Sequence, residues 1–378
     1  MFKKNVTVFR LAGFNVKVDM SWVFIALLIA WSLAQGVFPA IYEGFPPVTY
    51  WWMAVVAVIG LFFSLILHEL SHSLVARRYG LRISGITLFV FGGVAEMEEE
   101  PESPKAEFLM AIAGPIASLV LAAALRGFAE IGGALELSSP LLGVARYLAF
   151  LNGLLAVFNL IPAFPLDGGR IFRAALWYWR KDLLWATRVA AGAGAGFGFL
   201  MMAFGILSAA AGNFVGGVWW FLIGLFLRGS AAASYHQVAV RRALEGKPVS
   251  RFMTPNPITV SPAVSVRDLV EAYIYRYHHD LFPVIEDSQL LGCAGTKQVK
   301  DIPRDRWSVV TVRAILVPCS KDNTIESDES AVSALQLMQR TGASRLMVTD
   351  RGRLVGVIAL KDLLRLLALK IELKDLDQ

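Results

Sequence analysis

Residues Leu61 to Tyr79 read LFFSLILHELSHSLVARRY, and they place His68, Glu69 and His72 inside an apolar run that begins near Tyr50. A run of that length and apolarity reads as a membrane-spanning helix. Ionisable side chains in hydrocarbon are costly, so they are by default a functional signal. On a helix, residues four apart are neighbours, so His68 and His72 lie on one face, where two imidazoles can share one tetrahedral cation. A pair of hydrogen-bonded core histidines is the alternative, and the apolar surroundings count against it.

Glu69 then lies beside the metal, placed to take a proton from water, which makes the stretch an HExxH pattern. The rest of the chain supports a membrane setting. Its 378 residues are 56% hydrophobic with a mean hydropathy of +0.56, which excludes an ordinary soluble protein while leaving room for a soluble domain. The two cysteines, Cys293 and Cys319, lie in the polar C-terminal part. Neither a disulfide framework nor a cysteine-rich metal site is available, so zinc would have to use His, Asp or Glu. The net charge of +6 is spread along the chain, which argues against a nucleic acid partner and for the basic bias of cytoplasmic loops.

Windows long enough to cross a bilayer fall at about Met20 to Phe38, Tyr50 to Ala76, Glu107 to Leu125, Leu141 to Pro162, Ala186 to Ala211 and Phe214 to Leu227. Lys and Arg cluster before the first window, after the second and after the fourth, and are missing between the first and second and between the fifth and sixth. Six crossings with a cytoplasmic N-terminus and a cytoplasmic C-terminal part fit this pattern. Ahead of the first window, VTVFRLAGFNVKVDM is too long and too alternating for a signal-peptide n-region and reads as short strands. LRISGITLFVFGGVAEM, from Leu81, predicts a hairpin pivoting on Gly92 and Gly93. Its acidic run, Glu96 and Glu98 to Glu100, reads as a solvated face. AIAGPIASL, opening the third window, and Gly192, Gly194, Gly196 and Gly198 in the fifth read as close helix packing.

Two histidines and a water leave zinc one protein ligand short. The fourth window ends in NLIPAFPLDGGR, where Pro162 and Pro165 must interrupt the helix. Broken backbone at membrane depth is tolerated where it is buried in protein or lines a cavity. Asp167, just past the break, is a candidate third ligand, with a cap on a helix beginning near Gly169 as an equal alternative.

HELSH in an early span together with NLIPAFPLDGG late in another resembles the site-2 protease family of intramembrane zinc metalloproteases, over residues 1 to about 230; the FGG hairpin and AGPIAS are similar too. The resemblance implies that His68, His72 and Asp167 bind zinc, that Glu69 is the catalytic acid and base, and that Asn159 lies near the reacting carbonyl. It also implies single-pass membrane protein substrates, cleaved within their spans. VDMSW, Val18 to Trp22, lacks a histidine often found in the family's first span, which is not a required ligand.

Beyond Leu227 apolarity falls, and a domain boundary is expected near Arg241 to Pro248. DLFPVIEDSQLLG (Asp280 to Gly292) corresponds to SRLMVTDRGRLVG (Ser344 to Gly356) at an offset of 64, an internal duplication of βαββα units. The pair resembles tandem cystathionine-β-synthase (CBS) domains, whose members typically bind adenine nucleotides. GVIALKD (Gly356 to Asp362) keeps the ribose-contacting aspartate, Asp362, with Ala359 in place of the usual threonine. GCAGTKQ (Gly292 to Gln298) keeps neither, so at most one pocket, for ATP, ADP or AMP, is expected.

These readings combine into a multi-span α-helical membrane protein with short N-terminal strands and a hairpin, joined to a cytoplasmic α/β tandem CBS domain. The expected layout is a metalloprotease domain over 1–235, a linker over 236–247, and a CBS pair over 248–378, with repeats at about 248–305 and 311–370. The expected activity is zinc endopeptidase cleavage in the cell membrane, modulated by an adenine nucleotide, with a homodimer through the CBS pair as a further expectation. The rivals are a CBS-gated channel or transporter, which needs polar residues along a through-path, and a catalytically silent membrane receptor, which has no use for Glu69.

Overall fold

Strands come first in the chain, because its opening alternates apolar and polar residues. The computed structural model describes residues 5–81, 83–90, 92–97 and 100–363. Strands β1 (Asn5–Leu11) and β2 (Phe14–Asp19) form an antiparallel hairpin. Both residues of its two-residue turn, Ala12 at φ 50° and Gly13 at φ 90°, take the left-handed conformation that matches the twist of the flanking strands. β2 pairs in parallel with β3 (Ile83–Phe89), which pairs antiparallel with β4 (Gly92–Met97), giving one sheet in the order β1-β2-β3-β4. A parallel pair needs a crossover. Here it consists of two membrane helices, α1 (Met20–Ile41) and α2 (Pro47–Arg78).

The sheet rests on α2. Val16, Ile86 and Leu88 cluster with Ile66, and Phe62, Leu65 and Leu70 pack around them, so the sheet covers the same turns of α2 that carry His68 and Glu69. Phe89 pairs with Gly92. The chain therefore reverses between those two residues, and Gly92 and Gly93 begin β4 rather than forming the pivot expected of them. Gly92, at φ 131°, sits where a side chain would be strained.

Four more helices are long and apolar enough to cross a bilayer: α3 (Pro104–Ala134), α4 (Ser139–Asn159), α6 (Leu183–Ala210) and α7 (Phe214–Leu244). With α1 and α2 they make six spanning helices among the described residues, in the predicted order. Their ends run beyond several predicted windows, most of all in α7, because polar residues continue a helix outside hydrocarbon as readily as apolar ones continue it inside. Phe24, Trp52, Phe150 and Leu207 are each more than 60% exposed, as side chains facing lipid are. Of the four glycines in the fifth span, Gly194 and Gly198 sit on one face against Phe164 and Gly224, whereas Gly192 and Gly196 have open space beside them. The close-packing expectation thus holds for one helical face only.

The chain divides into two compact units, 1–238 and 239–378. In the second unit β6 (Leu281–Glu286) and β7 (Gln289–Gly295) recur at an offset of 64 as β10 (Arg345–Asp350) and β11 (Arg353–Ala359), with the same register and the same bulge. The repeats exchange short strands: β5 (Thr254–Pro255), ahead of the first hairpin, pairs with β11, and β8 (Val317–Pro318), ahead of the second, pairs with β7. β9 (Thr324–Glu326) completes the second sheet. Asp280 accepts from Ser344, its own equivalent, at 3.0 Å and is 2.8 Å from Arg345. The second repeat has a regular amphipathic helix, α8 (Ala331–Thr341), whereas the first turns π-helical over Leu269–Ile274. Burial pushes the Cys293 thiol up to about 11, so it stays protonated at neutral pH.

Candidate metal centre

α2 presents His68 and His72 side by side, their rings edge to face with centroids 4.9 Å apart and both buried. The fourth span ends at Asn159, and after the turn through Pro162 and Pro165 a new helix, α5 (Asp167–Arg180), begins. The helix starts at Asp167, two residues earlier than expected, and its N-cap is Leu166, so the capping alternative for Asp167 falls away. Asp167 Oδ2 instead lies 3.0 Å from His68 Nε2 and 3.2 Å from His72 Nε2. One ligand-type atom from each residue falls within 4.8 Å of the other two.

The donor set fits a cation. His72 Nδ1 donates to the Met110 carbonyl at 2.7 Å, and a carbonyl can only accept. In neutral His72 the Nε2 lone pair therefore points at a carboxylate oxygen, an arrangement that repels unless a cation stands between them. A tetrahedral zinc with bonds of about 2.0–2.1 Å spaces its ligand atoms about 3.3–3.4 Å apart, close to the separations found. His68 Nδ1 is held at 2.9 Å by Ser118 Oγ. Such outer hydrogen bonds orient metal-binding imidazoles and set which nitrogen is free.

Space for an ion comes from α3. A Cβ on Gly114 would lie 2.2 Å from His72 Nε2 and 2.7 Å from His68 Nε2. Met110, Gly114 and Ser118 follow one another at four-residue spacing on the buried face of α3. The spacing of AGPIAS reads as close packing, and the resemblance takes in the stretch without giving it a role; the structure makes it the wall of the histidine pair. The available signal was polar Glu107 and Ser118 in phase with that glycine on an otherwise apolar face. On the opposite side, a Cβ on Gly93 would lie 2.5 Å from Glu69 Cγ, so β4 comes close to Glu69 only because it has no side chain there.

Glu69, Gly93, Val94, Pro165 and Asp167 line two cavities, one of about 560 Å³ and one of about 230 Å³. The larger also takes in His68, Asn159 and apolar side chains of α7, among them Trp219 and Phe226. Asn159 is therefore brought to the same cavity as Glu69. Asp362 belongs to the second unit, half-buried in the helical turn after β11. Glu100 departs from the solvated face expected for the acidic run: it is partly buried, 3.8 Å from the buried Arg173, which draws a carboxylate inward. Glu98 and Glu99 lie outside the described residues, as do Lys3 and Lys4 and everything past 363.

Residues 56–134 and 129–204 match peptidase family M50, and 249–295 and 309–369 match the CBS domain. The chain is 35% identical over 360 residues to Rip3 of Mycobacterium tuberculosis, covering 95% of this chain and 91% of that one. It is 31% identical over 375 residues to the zinc metalloprotease MJ0392 of Methanocaldococcus jannaschii, covering 98% and 99%. The chain belongs to peptidase family M50, the site-2 proteases. A solved site-2 protease from Methanocaldococcus jannaschii is also similar, at 31% identity and a TM-score of 0.44 over 61% of this chain and 95% of that one. As an M50 member the chain is a multi-pass membrane zinc metalloprotease with appended CBS domains, and zinc is the metal this family uses.

Proposed function

We propose that the M50 chain cleaves single-pass membrane proteins within their spans, with zinc held by His68, His72 and Asp167 and with Glu69 as acid and base. The observation that carries this reading is the convergence of ligand-type atoms from His68, His72 and Asp167, with His72 Nδ1 tied to the Met110 carbonyl so that Nε2 is the nitrogen turned to the Asp167 carboxylate. Zinc supplies a Lewis acid and lowers the pKa of its water. Glu69, next to His68 on the same helix and open to both cavities, takes the proton from the attacking water and returns it to the leaving amine. Asn159 faces the larger cavity and donates its amide to the oxygen that gains charge. That cavity is lined mostly by apolar side chains. A helical substrate hides its carbonyls in its own hydrogen bonds and must unwind to enter.

Asp167→Ala is expected to lose stoichiometric zinc while the six spans still insert; elemental analysis of the purified chain checks it, and full zinc with full activity would remove Asp167 from the ligand set. Asn159→Ala should keep its zinc and lose about 10²–10³ in kcat, measured on a model transmembrane substrate. The distribution of Lys and Arg supports cytoplasmic termini and a cytoplasmic CBS pair.

The CBS pair is proposed to bind one adenine nucleotide at Asp362. Gln298, its counterpart in the first repeat, accepts from Gly295 N at 3.1 Å and is committed to its own helix start; a carboxylate at Asp362 can accept from both ribose hydroxyls, which an amide does less well. Calorimetry on the full chain with ATP, ADP and AMP should give one site per chain, abolished by Asp362→Ala. Regulation requires the nucleotide to favour one state of the protease, so cleavage rates with and without it test the coupling. A homodimer through this pair would show as a doubled mass in detergent.

A further inference from the structure

Among the described residues, the buried charges that this chemistry leaves unused are Glu107 and Arg173, fully and almost fully buried. Arg173 Nε donates to Glu107 Oε1 at 2.6 Å, and its Nη2 contacts the same oxygen. Net stability does not account for such a pair, because a buried ion pair is commonly replaceable by packed apolar residues at no loss. Its location does. Glu107 stands one helical turn before Met110, whose carbonyl holds His72. Arg173 stands six residues after Asp167, on the helix that Asp167 begins. Its guanidinium also lies 5.1 Å over the ring of Phe164, in the turn that delivers Asp167.

We propose that the Glu107–Arg173 pair is a positioning device that fixes the approach of Asp167 to the two histidines. The inference rests on the reading of those three residues as zinc ligands. Six residues along a helix are about 9 Å of rise and about 240° of rotation. A hold at Arg173 is therefore a second anchor on α5, far enough round its axis to stop the helix from rolling and carrying Asp167 out of register. The planar fork of Arg suits this role, since two donors on one carboxylate oxygen define an orientation that a Lys ammonium cannot. The α3 end of the anchor is the face that sets the His72 tautomer, so the pair ties the third ligand to the support of the second.

The test uses the full chain in detergent, loaded with zinc or with cobalt(II). Zinc affinity is measured by chelator competition, and ligand geometry by the visible absorption of the cobalt form. Arg173→Lys is expected to weaken zinc about 10–100-fold, the range for residues that support metal ligands, and to move the cobalt bands, with kcat falling and KM little changed. The double variant Glu107→Leu with Arg173→Met removes both charges together, so it folds if the singles do not, and it should show the same loss. Gly205→Ala, which crowds the distant contact with Gly217, serves as a destabilised control with unaltered cobalt bands. Unchanged zinc affinity and cobalt absorption in both Arg173→Lys and the double variant overturn the inference and leave the pair as packing. A wild-type chain that takes up neither metal overturns the ligand assignment itself, and this inference with it.

Discussion

Glu69→Gln is expected to lower proteolysis by about 10²–10⁴-fold, the usual worth of a positioned acid and base, while the chain keeps one zinc. Glu69 is not among the three residues whose ligand atoms converge, so changing its carboxylate to an amide of the same shape leaves the metal site intact. It removes only the group able to accept a proton. The side chain has room for the substitution, since it faces the junction of two cavities and the bare backbone of Gly93. Cleavage of a model transmembrane substrate measured beside zinc content decides the matter. Loss of zinc together with loss of activity would make Glu69 a structural residue. Retained activity would move the base elsewhere. The same variant should accumulate uncleaved substrate in cell membranes, which makes it the tool for finding what the protease cuts.

Gly114→Ala is expected to abolish stoichiometric zinc binding, although it adds one methyl group in a helix where alanine is the better former. The new Cβ would stand 2.2 Å from His72 Nε2, far inside contact distance. Relief by moving α3 is costly, because Met110 and Ser118 of the same face hold the two imidazoles by their Nδ1 atoms. The ring must therefore turn away, and its lone pair leaves Asp167. Elemental analysis and circular dichroism together test this: a helical chain without zinc is the expected result, and a chain with full zinc would show that the imidazoles have slack the structure does not reveal.

Much of the site could be read along the chain because its parts are local. HELSH places His68, Glu69 and His72 by helical spacing alone. Pro162 and Pro165 announce the break that brings Asp167 to hand, and the offset of 64 sets out the paired hairpins of the second unit. Each of these follows from rules acting over a few residues, namely the helical period, the fixed φ of proline and the recurrence of a strand pattern.

By itself, then, the amino-acid order determined six apolar helices, a histidine pair on one face of the second, a helix break before an aspartate, and a duplicated α/β tail. Residue spacing left Asp167 open between ligand and cap, and the tertiary structure set it against both histidines, because that choice depends on which way a new helix leaves the break. It set the bare Gly114 against both imidazoles and put Met110 and Ser118 within hydrogen-bond reach of the rings, since nothing in α3 names the helix it will face. It also brought Glu107 to Arg173 across 66 positions. Contacts between distant segments depend on how whole helices pack and roll, and no local period carries that information.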